Sequence, residues 1–186
     1  MSGDRPVLVV LAGRPGTGKT TLARRVAVAL RAAYLRVDAV ETVVVRCGLA
    51  EHPVGVVGYV VVEEVARGNL ALGLPVVVDA VNPVPQARSW WWSFADVAVP
   101  VVLETVVPDA MEHRRRVTAR RPDMPGQVVP TWAQVEASEY VPWDEGRDGA
   151  RHVVDMTDRE AGFAAAWAVL DGVLRGGPGS GGPGSG

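Results

Sequence analysis

The chain carries GRPGTGKTT at residues 13–21, directly after the apolar run VLVVLA at residues 7–12. The first eight letters match G-x-x-x-x-G-K-[ST], the pattern of a loop that holds phosphate groups between a strand and a helix. The apolar run predicts the strand, and Leu22, Val26 and Leu30 recur every four residues, as on the buried face of a helix. Because strand, loop and helix occur in the required order, we favour a phosphate-binding loop over a chance glycine turn.

The residue types within this loop suit phosphate binding. Glycine lets the backbone turn so that several N–H groups point inward, at a helix N-terminus where the dipole is positive. Lys19, the one lysine beside eighteen arginines, adds a charge that can follow the β- and γ-phosphates, and the Thr20 hydroxyl can ligate Mg²⁺. The residues expected to hold the nucleotide are Gly13, Arg14, Pro15, Gly16, Thr17, Gly18, Lys19, Thr20 and Thr21.

Length and composition indicate one domain followed by a tail. With 186 residues the chain has room for a single domain with a sizeable core, which we expect at residues 1–175. Residues 176–186 read GGPGSGGPGSG, a repeat without charged or apolar side chains. Nothing in this repeat can be buried, so we expect a disordered linker or tag.

The net charge and the cysteine content indicate which partners and which cellular compartment to expect. A net charge of -2 and a pI of about 5.9 argue against a surface built for nucleic acid. Cys47 is the one cysteine, which excludes a disulfide framework and favours a reducing compartment. We expect it to be a small residue of the hydrophobic core, on a helix. We expect no signal peptide, since the residues before Val7 do not have the pattern of one. No apolar run in the sequence approaches the roughly 20 residues of a membrane span. We therefore expect a cytoplasmic protein with no membrane partner, as a monomer or homodimer.

Apolar runs alternate with helical patterns along the rest of the chain. Strands are predicted at residues 7–12, 33–37, 75–78, 99–106 and 152–156. Helices are predicted at residues 20–31, 39–47, 59–69, 85–95, 109–121, 131–138 and 158–174. This alternation is typical of an α/β fold, in which helices cover both faces of a parallel sheet.

Asp79 is the candidate metal ligand beside Thr20. It ends the run VVVD at residues 76–79, at the sheet edge where ligands gather, like the carboxylate that holds Mg²⁺ in a Walker B element. It could instead cap the following turn. The next residue is Ala80, where ATPases that hydrolyse often carry a glutamate. Phosphoryl transfer to an acceptor is therefore favoured over hydrolysis.

Asp38 is the candidate for catalytic base and acceptor-binding residue. It follows the second predicted strand, so its carboxylate would face the phosphate loop across a cleft. A carboxylate in that place could orient an acceptor hydroxyl and take its proton. Asp38 could also cap the helix predicted from Ala39. Glu41, one turn further on, is a weaker rival that we expect to be solvated.

Arginines cluster between the fourth predicted strand and a loop rich in proline and glycine. The predicted helix carries HRRR at residues 113–116, followed by Arg120 and Arg121. Arg116 and Arg120 share a helix face and suit the charge on a transferring phosphoryl group, although such a run often covers only a solvated face. We expect an arginine-bearing lid at about residues 109–130, with Arg116 and Arg120 as catalytic residues.

Two aromatic groups could belong to the core or to a pocket. Successive residues on a helix lie about 100° apart, so Trp90, Trp91 and Trp92 cannot all face inward, and core packing is favoured. Tyr140, Trp143 and Asp144 form a group before the fifth strand that could close over a ligand.

Four stretches together resemble the small-molecule kinase branch of P-loop proteins. They are GRPGTGKTTLA at residues 13–23, RVDAVE at 36–41, VVVDAVNP at 76–83 with Arg88 downstream, and EHRRRV at 112–117. The branch includes chloramphenicol phosphotransferase, gluconate kinase, adenylyl-sulfate kinase, zeta-toxin-like kinases and bacterial AAA-family ATP-binding proteins. The resemblance covers roughly residues 7–174.

The resemblance implies a fold, a reaction and a set of site residues. The fold would be a P-loop NTPase three-layer sandwich whose five-stranded parallel sheet has the order 2-3-1-4-5. The reaction would be ATP-dependent phosphorylation of a hydroxyl on a small molecule, a metabolite or an antibiotic, with Mg²⁺ held by Thr20 and Asp79. Asp38 matches the aspartate that contacts the acceptor in this branch. Asn82 and Arg88 match a D-x-x-N motif with a later arginine and would bind substrate.

Two other functions stay open at this stage. The acceptor could be a nucleotide or the end of a polynucleotide, although the acidic pI counts against a nucleic-acid surface. The protein could instead be a regulatory switch that binds ATP, since the slow hydrolysis expected from Ala80 would suit a switch.

Overall fold

A five-stranded sheet forms the centre of the computed structural model, which describes residues 5–176. The strands are β1 Val7–Ala12, β2 Ala33–Arg36, β3 Val76–Asp79, β4 Val99–Val106 and β5 His152–Asp155. All pairings are parallel and the order is β2-β3-β1-β4-β5, which confirms the predicted topology. Apart from Gly176, the predicted tail lies outside the described residues.

The strand before the phosphate loop lies in the middle of the sheet. β1 pairs with β3 on one side and β4 on the other, so that Val9 lies opposite both Val77 and Val101. Every residue of β1 is at most 3% exposed. A strand covered on both faces has no reason to alternate polar and apolar residues, which explains its unbroken apolar run.

Helices cover both faces of the sheet. Within the described residues they are α1 Lys19–Leu30, α2 Val37–Arg46, α3 Val57–Ala71, α4 Pro85–Trp92, α5 Ala110–Ala119, α6 Trp132–Ala137, α7 Glu145–Asp148 and α8 Arg159–Gly176. On one face, Leu22 of α1 and Leu170 of α8 belong to the same buried cluster as Val9 of β1. On the other, Val62 of α3 and Trp91 of α4 belong to the cluster around β1. None of the helices in residues 5–176 has the length and apolar character that a membrane crossing needs.

β2 ends at Arg36, earlier than predicted, so Asp38 lies in a helix and not directly after the strand. Arg36, the last residue of β2, lies opposite Asp79, the last residue of β3. Beyond that pair the chain has no strand to follow and turns into α2 at Val37, which places Asp38 in the first turn of the helix. The prediction that Asp38 directly follows a strand, or caps a helix at Ala39, is wrong.

Two further local predictions need correction. Cys47 is exposed at the end of α2 and does not belong to the core. α7 lies in a stretch with no predicted element, where the Asp144 carboxylate accepts the backbone N–H groups of Gly146 and Arg147 and so caps the helix. A helix of four residues is too short to show a hydrophobic period.

A buried ion pair joins α4 to α7. The Arg88 Nη1 atom lies 2.7 Å from Asp148 Oδ2, and both side chains are fully buried. The Arg88 guanidinium also donates to the carbonyl oxygens of Asn82, Pro83 and Val141. Because a buried charge is tolerated only when it is paired and hydrogen-bonded, this pair fastens the segment before α7 to the loop after β3.

We expect Asp148→Ala to lower the free energy of unfolding by about 3–5 kcal/mol, since it leaves the Arg88 charge buried without its partner. Urea denaturation followed by circular dichroism would measure the change. Asp171→Ala is the matched control, because its pair with Arg175 is exposed and its removal should cost at most about 0.5–1 kcal/mol. Equal losses in the two variants would contradict the structural role of the buried pair.

Candidate functional site

The phosphate loop has a backbone that only glycine fits at its turning points. Gly13, Gly16 and Gly18 have positive φ angles of 130°, 86° and 101°. A Cβ atom at Gly13 would lie 2.4 Å from the carbonyl oxygen of Thr105, and one at Gly16 would lie 2.5 Å from Val117 Cγ2. The neighbouring strand and helix therefore pack directly against the loop, which leaves room for backbone alone.

Lys19 is buried at the end of this loop. Its Nζ atom donates to the carbonyl oxygens of Gly13 at 2.7 Å and Arg14 at 2.9 Å. Burial lowers the pKa of Lys19 to about 8, against the opposing charges of Asp79 and Asp38. A largely charged ammonium in a glycine-rich loop at the N-terminus of α1 fits a chain of phosphate oxygens.

A cleft of about 820 Å³ opens beside the loop. It is lined by α1, α2, α5, the loop after α5, the end of β3 and the start of α8. The predicted site residues that line it are Pro15, Gly16, Gly18, Lys19, Thr20, Thr21, Asp38, Asp79, Arg116 and Arg120. The structure thus brings most of the predicted phosphate-binding residues, both predicted metal ligands and Asp38 to one cavity, whose volume is in the range of small-molecule pockets.

Asp79 and Thr20 supply the oxygen atoms at the sheet edge of the cleft. Asp79 is 3% exposed, and its Oδ2 atom accepts the hydroxyl of Tyr34 at 2.9 Å. Burial and the nearby Asp79 carboxylate raise the pKa of Tyr34, so its phenol stays a donor. Carboxylate and hydroxyl oxygens are the ligands that Mg²⁺ prefers. In residues 5–176 no group of three His, Cys, Asp or Glu side chains is placed to hold a metal ion, so Mg²⁺ would need phosphate oxygens as well.

Asp38 reaches the cleft from the first turn of α2. Its Oδ2 atom lies 3.3 Å from Arg36 Nη2 and 3.8 Å from Arg120 Nη2. The carboxylate is 39% exposed, so it can still meet a ligand. The two guanidinium groups fix the direction in which the carboxylate points.

Arg36 and Asp123 are site residues that sequence reasoning missed. Arg36 Nη1 donates to both carboxylate oxygens of Asp123, at 3.0 and 2.8 Å, and Arg24 Nη2 donates to Oδ2 at 2.8 Å. Burial alone would raise the pKa of Asp123, but the hydrogen bonds and charge of Arg36 outweigh it and lower that pKa. These bonds tie the loop after α5 to the core. The partners are 87 positions apart in the chain, and no local pattern links them.

The two arginines predicted to be catalytic lie in different surroundings. Arg116 donates through Nε to Glu112, and through Nη1 and Nη2 to the carbonyl oxygens of Met156 and Thr157. Its guanidinium therefore ties α5 to the loop after β5. Arg120 follows one turn later, as the C-cap of α5. Its Nη2 atom lies 3.8 Å from Asp38 Oδ2, and its side chain lines the cleft.

Helix α5, in the segment predicted to form a lid, packs against the phosphate loop. The ring of His113 is buried, and its Nε2 atom lies 2.8 Å from the carbonyl oxygen of Pro15. Trp132 of α6 packs edge-on against the same ring. Gly16 also lies directly against Val117 of α5. A shift of α5 would therefore displace the phosphate loop.

The structure does not bring Asn82 and Arg88 to the cleft. Asn82 is 1% exposed, its Nδ2 atom donates to the carbonyl oxygen of Leu11, and its Oδ1 atom accepts the indole N–H of Trp91. Arg88 is held by Asp148 in the ion pair described above. Both side chains shape the loop after β3 from behind, and neither lines the cavity.

The aromatic residues considered as pocket walls lie elsewhere too. Trp91 is 1% exposed and belongs to the core, as the favoured alternative predicted. The Tyr140 hydroxyl donates to Glu104 at 2.6 Å, and Arg14 stacks over the same ring. Arg14 donates in addition to the carbonyl oxygen of Val135, so this loop residue points away from the cleft lining and towards α6.

Glu41 is more enclosed than the sequence suggested. It lines the cleft one turn after Asp38 and is partly buried against α3. A Cβ atom at Gly58 would lie only 2.8 Å from Glu41 Cγ. Burial, and then the charge of Asp38, raise the pKa of Glu41 to about 7. The sequence signal that could have found this is the glycine, whose missing side chain leaves room for the glutamate.

Comparison with protein families gives a match over most of the chain. The model of a family described as an AAA domain matches residues 8–137. These residues include β1, the phosphate loop, α2 and α5. A comparison with curated proteins gives no match.

Several solved structures share the fold. A candidate kinase from Chloroflexus aurantiacus J-10-fl is 22% identical, with a TM-score of 0.67 and coverage of 94% of this chain and 98% of that one. A sugar kinase from Janibacter sp. HTCC2649 is 17% identical, with a TM-score of 0.66 and coverage of 89% and 95%. Kti12 from Chaetomium thermophilum, solved with ADP-AlF3, is 16% identical, with a TM-score of 0.64 and coverage of 88% and 97%. At these identities the likeness shows the fold.

We expect Glu41→Gln to stabilise the protein at alkaline pH. Folding raises the pKa of Glu41 from 4.5 to about 7, so the ionised form costs stability above that value, and the cost vanishes below about pH 4.5, where the group is neutral in both states. Scanning calorimetry should show a melting temperature a few degrees above wild type at pH 8 and a gain that shrinks towards pH 5. Glu64→Gln, at an exposed position of α3, should show no such trend; a gain independent of pH would contradict the assignment.

Proposed function

This chain belongs to the AAA domain family, and from that premise we propose that it is an ATP-dependent kinase. It would move the γ-phosphate to a hydroxyl group of a small molecule, a metabolite or an antibiotic. The observation that carries the proposal is the shared cleft, in which the phosphate loop lies across from the Asp38 carboxylate. Ala80 after Asp79 provides no carboxylate to activate water, which favours transfer over hydrolysis.

The phosphate loop would hold the nucleotide. Its inward N–H groups and the Lys19 ammonium would bind the phosphate oxygens, and Thr20 with Asp79 would complete the ligands of Mg²⁺. When bound, ATP supplies the phosphoryl group and Mg²⁺ neutralises part of its charge. Lys19 would exchange its two carbonyl partners for phosphate oxygens.

Asp38 would orient the acceptor. Its carboxylate is exposed enough to accept a hydrogen bond from a hydroxyl group, and Arg36 and Arg120 hold it in one direction. Holding the acceptor oxygen in line with the phosphorus atom supplies much of the catalysis in phosphoryl transfer. Arg120 is the better placed of the two predicted arginines to neutralise charge on the transferring group.

The other predicted residues would act by positioning. Arg116, bonded to Met156 and Thr157 carbonyl oxygens, would set the position of α5 above the loop. Asn82 and Arg88 would support the loop after β3 and through it the metal ligand Asp79, without touching the substrate. Residues 109–130 would act as the lid.

One observation favours a second candidate, an ATP-dependent regulatory switch. Arg36 donates hydrogen bonds to Asp123 of the loop after α5, and its Nε atom lies 3.7 Å from Asp79 Oδ2 in an ion pair without a hydrogen bond. A metal ion at Asp79 would compete with Arg36 for that carboxylate and could thereby loosen the loop. The fold shared with Kti12, a protein solved with ADP-AlF3, is compatible with this alternative.

The proposal is tested by phosphoryl transfer from γ-labelled ATP with Mg²⁺ to fractionated pools of metabolites and antibiotics. We expect the wild-type protein to label one acceptor and Lys19→Ala to reduce that rate at least about 100-fold, because a charge on the transferring group loses its partner. Arg31→Ala, at the exposed end of α1, should behave as wild type. Label that stays in ATP or appears only as free phosphate would contradict the kinase and leave the switch.

Asp38→Asn separates orientation of the acceptor from nucleotide binding. We expect turnover to fall about 100-fold or more, since an amide presents a donor as well as an acceptor to the hydroxyl group. Affinity for a fluorescent ATP analogue should stay within about twofold, because the side chain faces the acceptor end of the cleft. Asp96→Asn, on an exposed loop, is the matched control. Unchanged turnover in Asp38→Asn would remove the role assigned to it.

A further inference from the structure

We infer that Glu41 is a second catalytic carboxylate, which takes the proton of the acceptor hydroxyl while Asp38 orients the oxygen. The inference rests on the proposed kinase function and extends it to a residue that the sequence placed in solvent. It divides between two side chains the roles of base and clamp that were first assigned to one.

The geometry brings Glu41 and Asp38 to the same part of the cleft. Both are on α2, three positions apart, and residues at that spacing share a helix face. Both line the cavity together with His52 from the loop before α3 and Arg120 from α5. A small molecule that hydrogen-bonds to Asp38 would therefore also lie within reach of Glu41.

Glu41 differs from the other carboxylates of the cleft in its partners. In residues 5–176 it forms no ion pair and no hydrogen bond, whereas each of the others has a partner. Asp38, Asp79 and Asp123 are paired with Arg36, Glu160 is paired with Arg25, and Asp158 accepts backbone N–H groups at the start of α8. An enclosed carboxylate without a cation is costly to keep ionised, and such a cost is expected at functional sites.

A carboxylate without a neighbouring cation keeps a high affinity for protons, as a general base needs. The surroundings of Glu41 determine how far its pKa is raised. The carboxylate lies beside Gly58, where a Cβ atom would lie 3.2 Å from Glu41 Oε1 and 3.0 Å from Val37 Cγ1. Burial, and then the Glu41 charge, raise the pKa of Tyr59. The titratable groups that face it are Asp38 on its own helix and Tyr59 on α3, with His52 and Arg120 across the cavity. Burial and the Asp38 charge hold the pKa of Glu41 at about 7, where a general base is most effective near neutral pH.

The proposed step balances with ATP as the phosphoryl donor. The acceptor oxygen forms a bond to the γ-phosphorus, and the bond from that phosphorus to the β–γ bridging oxygen breaks, its electron pair leaving on ADP. The hydroxyl proton passes to a carboxylate oxygen of Glu41 and then to water. The products are ADP, the phosphorylated acceptor and one proton released to solvent.

The test is the pH profile of turnover with the acceptor identified by labelled transfer. For the wild-type protein we expect turnover to fall below about pH 7, where Glu41 becomes protonated. Glu41→Gln should lower turnover about 100- to 1,000-fold and remove this acid limb, since it cannot take a proton. Glu41→Asp, which restores a carboxylate, should recover part of the rate and keep an acid limb. Glu64→Gln should match wild type throughout.

Two readouts separate this inference from the kinase proposal. Carbon-13 NMR of the glutamate carboxyl groups should show one resonance that titrates near pH 7 and disappears in Glu41→Gln, with no substrate present. Titration of Glu41 near its ordinary value would overturn the inference, as would wild-type turnover and pH profile in Glu41→Gln. If the wild-type protein phosphorylates no acceptor, the kinase proposal fails, and the role of Glu41 as a base fails with it even when the resonance titrates as expected.

Discussion

The Arg36 side chain is only 3% exposed, beneath the cleft, so its positive charge needs carboxylate partners. The residues of the site are arranged around this buried guanidinium. Three carboxylates from three segments supply the balance: Asp38 at the start of α2, Asp79 at the end of β3 and Asp123 in the loop after α5. A guanidinium without these partners would be too costly to bury. One side chain at the end of β2 therefore fixes the relative positions of three parts of the site: the candidate acceptor residue, the candidate metal ligand and the candidate lid.

The sequence predicted those parts of the molecule that local patterns determine. β1 and β4 have the predicted bounds, because an unbroken apolar run and a strand buried on both faces are the same physical fact. The phosphate loop lies between β1 and α1, as its glycine pattern predicts. The sheet has the strand order that the resemblance implies. Lys19, Thr20, Asp38 and Asp79 were predicted as one site and do line one cavity.

The sequence could not predict contacts between distant segments. Nothing in the local sequence pairs Arg36 with Asp123 or Arg88 with Asp148. The resemblance placed Arg88 at the substrate, whereas its side chain is buried in the ion pair with Asp148. Asp38 moved into a helix because β2 ends where its neighbour β3 ends, a limit set by another strand. Glu41 was expected in solvent because its enclosure depends on a glycine of α3. In each case the deciding partner comes from another element.

The two carbonyl bonds of the Lys19 ammonium bear on how long a bound nucleotide stays. Its Nζ atom is already satisfied by Gly13 and Arg14, so binding of phosphates exchanges one set of hydrogen bonds for another, and only the difference contributes to affinity. The same carbonyl groups stand ready to take the ammonium back when the phosphates shift. We expect these alternative partners to ease release of the spent nucleotide, because the buried ammonium is not left without hydrogen bonds when the phosphates depart.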